Sequence, residues 1–536
     1  MDLRKNLILL LLLFCSQEIW AGDIYVSPQG NDHHKGTIEA PLRSPIQALR
    51  MAREWRRIAK LNSNNEIVQQ AKENIRGGIH IIMCGGSYPI TEPLLIRPED
   101  SGTSESPTII RNADNESPTL IGESRATHTQ LYPQEGMERI IDFNTKERTI
   151  TISTPPDWAQ GSLPELEGLE MVVHQRWAIA ILRVKAIKRD GDHLIVSSKE
   201  PESRLEFEHP WPQPVIGGER GNSSFLLRRT EQREGIEQLL IINGTEKDAV
   251  QYVSFSGISF KNTCWNRPLQ KGHVTLQGGF PILDAYKLTV EGLPWASSLE
   301  NQAWIERPVA AVCVRNAHHI DFKDCHFENL ASTALDYHEG VNNCQIIGNT
   351  FENIGGTAIL AGSFAESPRE VHRPYTDLAD QCHHILIQDN YIHHATNEDW
   401  GTVGIGCGYV RDITIKHNTV EMVNYSGICV GWGWTSHNTG MKNNCIEGNT
   451  VRNFARQLYD AGGIYTLSNQ PHSIIKDNHM EHLFPAPYAT NNRGFAIYLD
   501  AMTDGFLLEG NTLDGKNIRK AQIGVNNPGN HIIWKQ

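Results

Sequence analysis

The chain has 536 residues, more than one compact core usually takes. It is 39% hydrophobic and 21% charged, ordinary for a soluble protein, and its 45 glycines lean towards β structure. A net charge of −13 argues against a nucleic-acid partner, because phosphate binding needs a basic surface.

In chain order, the first feature is a targeting segment over residues 1–21. Arg4 and Lys5 form a basic start, Leu7 to Phe14 an apolar run too short to span a bilayer, and Ala21 a small residue before a cut at Gly22. Lipid modification at Cys15 is disfavoured by the bulk of Phe14 in front of it, so the expectation is simple export to the periplasm or beyond, with no later transmembrane segment. Removal of Cys15 leaves nine cysteines, an odd number that cannot all pair, and none has zinc-type spacing with histidine. They read as small buried side chains.

Residues 22–124 read as a cap and first coils. Ser44 is a fitting N-cap and Pro45 a fitting first helical residue, with Ile46, Leu49, Ala52 and Trp55 facing inward. A helix there would cover an open sheet edge. "GIHIIMCGGSYPI" and "SPTIIRNADNESPTLIGES" look like coils. Residues 125–245 break that pattern with β clusters such as "MVVHQRW" and "LRVKAIKRDGDHLIVSS", and read as an inserted β domain. The excursion 265–307 reads as a loop or a pair of strands.

Residues 246–536 read as the main solenoid, and from residue 320 one motif recurs: a short β run, a polar residue or glycine, Asn, then another short run. The repeated position is Cys325, Asn349, Asn390, Asn418, Asn449, Asn478 and Asn511, at spacings of 24, 41, 28, 31, 29 and 33 residues. A constant core motif with variable spacing means coils of one cross-section joined by loops of different length. The fold expected is all-β: a right-handed parallel β-helix in which each coil pairs with the next and the asparagines stack as a ladder.

A second strand follows each ladder run. Set in register, these strands place Leu335, Ile359, Ile405, Ile428, Ile464 and Ile497 in one inward column. The next column, pointing out, holds Asp336, Leu360, Gly406, Cys429, Tyr465 and Tyr498, and two residues on come His338, Gly362, Gly408, Gly431, Leu467 and Asp500. A glycine floor with aromatic walls (Tyr409, Trp432, Trp434, Tyr465, Tyr498) suits a sugar. Glycine at bends of the coil would have the same pattern.

Asp336, Glu339, Asp399, Asp460, Asp500 and Asp504 are candidate acids. Asp336 and Asp500 lie five coils apart, roughly 24 Å, and cannot act on one bond. Asp460 and Asp500 belong to adjacent coils but opposite strand ends, and converge only if the chain bends near Gly462-Gly463. Asp399, two coils from Asp460, is the rival. Glycosidases use two carboxyl groups, one protonating the leaving oxygen and one acting as nucleophile or base. The adjacent histidine pairs 318/319, 383/384 and 393/394 should point to opposite faces, which argues against chelation, so neither metal nor cofactor is expected. His338 lies on the candidate face as a sugar contact.

Three stretches carry a family resemblance: "IYVSPQGNDHHKGTIEAPLRSPIQALRMAR", "MCGGSYPITEPLLIRPEDSGTSESPTIIRN" and the late coils "YVRDITIKHNTVEMVNYSGICVGWGW", "YDAGGIYT" and "AIYLDAMTDG". The chain resembles secreted bacterial β-helix carbohydrate-active proteins, most nearly glycoside hydrolase family 141, whose members act on fucosidic linkages of pectin and on xylan. The resemblance implies that the family's catalytic aspartates correspond to Asp460 and Asp500 and favours that pair over Asp399. The function expected is an exported glycoside hydrolase acting on a poly- or oligosaccharide, as a monomer or small homo-oligomer. The alternatives are a polysaccharide lyase, for which Arg493 ahead of "GFAIYLD" is a candidate, and a non-catalytic carbohydrate-binding β-helix.

Overall fold

The structure, a computed structural model, describes residues 22–208, 212–231, 235–285, 303–364, 381–436, 438–491 and 493–535. The targeting segment and the "KLTVEGLPW" stretch lie outside these residues. No helix among them is long and apolar enough to cross a membrane.

Three sheets of 13, 11 and 10 strands, paired almost throughout in parallel, wind into a parallel β-helix. One coil shows the plan: Thr414–Lys416, Thr419–Glu421 and Ile428–Val430 each enter a different sheet. The expected inward column is in register, with Leu335 opposite Ile359, then Ile405, Ile428, Ile464 and Ile497, and all six are fully buried. Phenylalanines stack along the same axis, Phe260 on Phe327 at 5.0 Å and Phe327 on Phe351 at 4.6 Å between ring centres. Burial of each such side chain contributes about 1.5–3 kcal/mol. The asparagine ladder is continuous: the Nδ2 of Asn349, Asn390, Asn418, Asn449 and Asn478 each donates to the Oδ1 of the next, at 2.9 Å. The same Oδ1 atoms accept a backbone N–H from the previous coil, as Asn418 Oδ1 does from Asn390, so the corner is satisfied without water.

The N-terminal helix spans Pro45–Ala59, with the Ser44 hydroxyl accepting from the Gln47 N–H at 3.2 Å. Leu49 and Ala52 are buried as expected, while Ile46 and Trp55 are only partly so. Arg56 takes an inward position instead, donating to the Ser106 carbonyl and the Thr108 hydroxyl, both at 2.9 Å. A second helix, Glu66–Asn74, follows.

The non-repeating stretch forms an eight-stranded antiparallel sheet between His128 and Thr230. Leu94–Ile96 pairs directly with Leu240–Asn243, so the solenoid continues across the insertion. In the excursion, Ile282–Ala285 and Ala303–Ile305 form an antiparallel pair. The insertion, the excursion and the outer face of the ten-stranded sheet enclose a second apolar cluster, joining Phe225, Leu276 and Phe280 to Leu360, Trp432, Tyr465 and Tyr498. The expected outward column is therefore covered. The nine cysteines are free thiols, mostly buried.

Two local expectations are corrected. Adjacent histidines do not point apart: the Nδ1 atoms of His383 and His384 are 2.7 Å from each other, because His384, like His319 and His394, adopts a left-handed backbone (φ 51, 56 and 54). The glycine floor is not open. A Cβ on Gly408 would sit 2.3 Å from the Ser363 carbonyl and 2.9 Å from the Phe364 ring, and one on Gly431 would sit 2.2 Å from the Leu467 carbonyl. These glycines permit close packing of the coil.

Candidate active site

Asp460 stands just before the strand Ala461–Thr466, and Asp500 just after Gly494–Leu499 of the next coil. The turn that sequence reasoning put at Gly462-Gly463 lies at Asp460 itself, whose φ is 60. Asp tolerates that left-handed conformation better than most residues. The glycines serve the neighbouring coils: a Cβ on Gly462 would lie 3.0 Å from the Tyr498 nitrogen, and one on Gly463 2.5 Å from Met480.

Two tyrosines join the aspartates. Tyr465 and Tyr498 are paired across adjacent coils, with ring centres 5.1 Å apart and an angle of 84°. The Tyr465 hydroxyl donates to Asp500 Oδ2, reaching forward one coil. The Tyr498 hydroxyl donates back to Asp460 Oδ1 at 3.1 Å. Asn526 donates to the other Asp500 oxygen at 2.7 Å. Tyr425 donates to the Asp460 carbonyl at 3.0 Å, and Gln277 Nε2 donates to both the Tyr425 and Tyr465 hydroxyls, at 3.2 and 3.0 Å. Arg493 Nη1 lies 3.4 Å from Asp460 Oδ1.

The two carboxyls have different surroundings. Asp500 is 6% exposed and accepts hydrogen bonds from Tyr465 and Asn526, one on each oxygen. The Asp460 carboxyl accepts from the Tyr498 hydroxyl, and its side chain is 16% exposed. Burial pushes the Asp460 carboxyl up to about 6; Arg493 opposes that rise and the negative charge of Asp500 adds to it. Burial likewise drives Tyr425 and Tyr465 well above the usual phenol range, so they remain donors.

The insertion closes one side. His174 contacts the Gln457 carbonyl through Nε2 at 2.9 Å, and the Tyr459 N–H donates to the Arg176 carbonyl at 3.3 Å. Arg139 donates to the Tyr488 carbonyl at 2.8 Å. The Arg176 charge acts on Asp460 in the same direction as Arg493. Behind this loop, Gln175 donates to both oxygens of Glu206, at 2.8 and 2.9 Å, and full burial pushes Glu206 up to about 8.

Of the residues expected at the site, Asp460, Asp500, Tyr465, Tyr498 and Arg493 come together. The others do not. Tyr409 is fully buried, its ring against Gly433. Trp432 is 3% exposed and packs on Phe280 and Phe364, with Trp434 edge-on to it at 4.6 Å. These rings belong to the covered cluster; Trp432 lines, with Gly406, Gly431 and Tyr465, an apolar cavity of only about 30 Å³, too small for a sugar ring. His338 lies beside Arg307 and Arg315, coils away; burial and those cations hold its imidazole far below its ordinary range. Asp336 is buried in a two-pronged ion pair with Arg307, at 2.6 and 2.7 Å. Asp399 binds His273 at 2.7 Å. Sequence reasoning missed Tyr425, Asn526, Gln277 and Arg176. Tyr425 and Asn526 flank the isoleucine column and could have been found by extending the register; Gln277 and Arg176 come from segments with no register. Among the described residues, no group of three or more His, Cys, Asp and Glu is placed to hold a metal ion.

Comparison with known proteins agrees with the fold. A family model described as the GH141 insertion domain matches residues 104–233, and one described as periplasmic copper-binding protein (NosD) matches residues 358–533. A curated pectate lyase, PEL9 of Emericella nidulans, is 32% identical over 105 residues; the match spans a fifth of each chain. A solved structure titled glycoside hydrolase superposes with a TM-score of 0.85 at 33% identity, covering 96% of both chains. On that full-length likeness, the protein belongs to the family of that glycoside hydrolase, a family of parallel β-helix carbohydrate-active proteins, and bears its own match to the GH141 insertion domain.

Proposed function

We propose that the protein is an exported glycoside hydrolase in which Asp460 is the general acid and Asp500 its partner, the nucleophile or base. The observation that carries this reading is a pair of carboxyls in one hydroxyl network, one of them raised by burial. Burial brings Asp460 to about 6, and Asp500, on the adjacent coil, accepts hydrogen bonds from Tyr465 and Asn526. A carboxyl that keeps its proton near neutral pH, with a second carboxyl beside it, is what an acid and its partner need on one glycosidic bond. Protonated Asp460 donates its proton to the departing glycosidic oxygen as the C–O bond breaks. Asp500 stabilises the developing oxocarbenium charge, and either bonds to the anomeric carbon or takes a proton from the attacking water. Tyr465 and Tyr498 orient the two carboxyls.

The family resemblance supports a fucosidic linkage in a complex plant or host polysaccharide as the bond cleaved. A lyase on the same site would need a neutral base beside an acidic sugar. Arg493 is a poor one, because the Asp460 charge beside it holds its guanidinium even more firmly protonated. The test is a screen of plant and host glycans with the wild type, Asp460→Asn and Asp500→Asn, reading products by mass. Saturated products lost in both variants support hydrolysis. Unsaturated products identify a lyase, and no product on any glycan favours a binding protein.

A further inference from the structure

The segment that lends Gln277 to the tyrosines has a second side. There His273 and Gly279 line a cavity of about 170 Å³, together with Trp265, Arg267, Ser332 and Asp399. The cavity lies at the coil of Asp399, whose strand Ile405–Cys407 is two strands before Ala461–Thr466 in the sheet order, roughly 10 Å along the axis.

This cavity is built from buried polar groups. His273 is 1% exposed and Asp399 4%; Asp399 Oδ2 holds His273 Nε2 at 2.7 Å. That bond fixes the ring and leaves Nδ1, which has no hydrogen-bond partner among the described residues. Arg267 spends Nη1 on Glu306 at 2.6 Å, and its buried Nε is likewise without a partner. Buried polar atoms without partners are uncommon, because each loses its hydrogen bonds to water without replacement. The Trp265 indole stands edge-on to His273, 4.6 Å between centres, and remains partly exposed. Gly279 is as close as the backbone can come: at φ +79, a Cβ would sit 2.7 Å from Asp399 Oδ2 and 2.3 Å from Thr402 Cγ2.

We propose that this cavity is a second saccharide site, distinct from the aspartate pair, that takes one uncharged pyranose ring. The size selects a small ligand, since sites for drug-sized molecules run to roughly 300–1,000 Å³. The chemistry selects a sugar. An indole packs on an apolar C–H face, while His273 Nδ1 and Arg267 Nε offer hydrogen bonds to hydroxyls. The pairing favours a neutral ring: the two arginines of the lining are each answered by a carboxylate, Arg267 by Glu306 and Arg307 by Asp336, and Lys271 and Glu237 bring one further basic and one further acidic side chain. The inference does not depend on the roles given to Asp460 and Asp500.

The test titrates the full chain with D-glucose, D-galactose, D-xylose and L-fucose, and with D-galacturonate as the charged probe, by calorimetry and tryptophan fluorescence. The expected result is saturable binding of at least one neutral sugar. Trp265→Ala and Ser332→Leu, which remove the platform and fill the space, should each weaken it about tenfold or more, and Asp460→Asn should leave it unchanged. If Trp265→Ala fails to fold, Ser332→Leu decides. Binding of none of the neutral sugars, binding of galacturonate alone, survival of binding in the folded variants, or its loss in Asp460→Asn would each overturn the proposal. The last outcome would place the sugar at the aspartates, and glycan cleavage by the wild type is read separately.

Discussion

The molecule has two apolar regions separated by one sheet, and they are built on opposite principles. Inside the solenoid, each coil repeats its neighbour: isoleucine over isoleucine, phenylalanine over phenylalanine, asparagine over asparagine. Outside the same sheet, nothing repeats. Leu360, Cys429, Tyr465 and Tyr498 follow one another, and the insertion and the excursion cover them with Phe225, Leu276 and Phe280. Repetition makes a rod, stable because every coil solves the same packing problem. The irregular cover removes water from one stretch of the rod, and in that drier setting a carboxyl can stay protonated near neutral pH. On the proposed function, stability and chemistry are divided between the two faces of one sheet.

That division can be broken by mutation. The largest effect is expected at the carboxyl pair: Asp460→Asn and Asp500→Asn should each lower kcat by about 10²–10⁴-fold with the fold intact, as circular dichroism would check. Unchanged turnover in either folded variant would remove that residue from the chemistry. Next come two phenylalanines of equal size. Phe327→Ala inside and Phe280→Ala outside should each cost about 3–5 kcal/mol in denaturant unfolding, but only Phe280→Ala should also change kcat/KM. Equal kinetic effects would erase the distinction between the regions.

A smaller effect concerns stability against pH. The Asp460 carboxyl titrates at about 6 in the fold, above its ordinary 3.8. Between those values the folded state binds the proton more tightly than the unfolded chain, so stability falls as pH rises through the window. Asp460→Asn escapes that penalty and should be more stable than the wild type above pH 6, by about 2–3 kcal/mol. A variant less stable at every pH would mean that the carboxylate caps its turn. The smallest effect is on the pH profile. Activity should decline above about pH 6 as Asp460 loses its proton. Removing the opposing cation in Arg493→Gln should move that limb to higher pH by about 0.5–1, a modest change because Arg493 is 47% exposed. A limb that moves down, or not at all, would uncouple Arg493 from the acid.

The solenoid was legible in the sequence because its period-two alternation and recurrent asparagine are local patterns, repeated often enough to be aligned with themselves. The same register found the isoleucine column and ranked the acids by coil, and the family resemblance chose Asp460 with Asp500. Three things were decided only by tertiary structure. The column after the isoleucines was legible as outward but not as covered, since its cover comes from residues 274–282 and the insertion, which carry no repeat. The left-handed turn fell on Asp460 and left the glycines beside it to make room for Tyr498 and Met480, a choice made by the neighbouring coil. The reach of Tyr465 forward to Asp500 and of Tyr498 back to Asp460 depends on side-chain direction across a strand pair. A repeat specifies what stacks on itself; what packs against its outside is set by segments distant in sequence, whose partners no local pattern names.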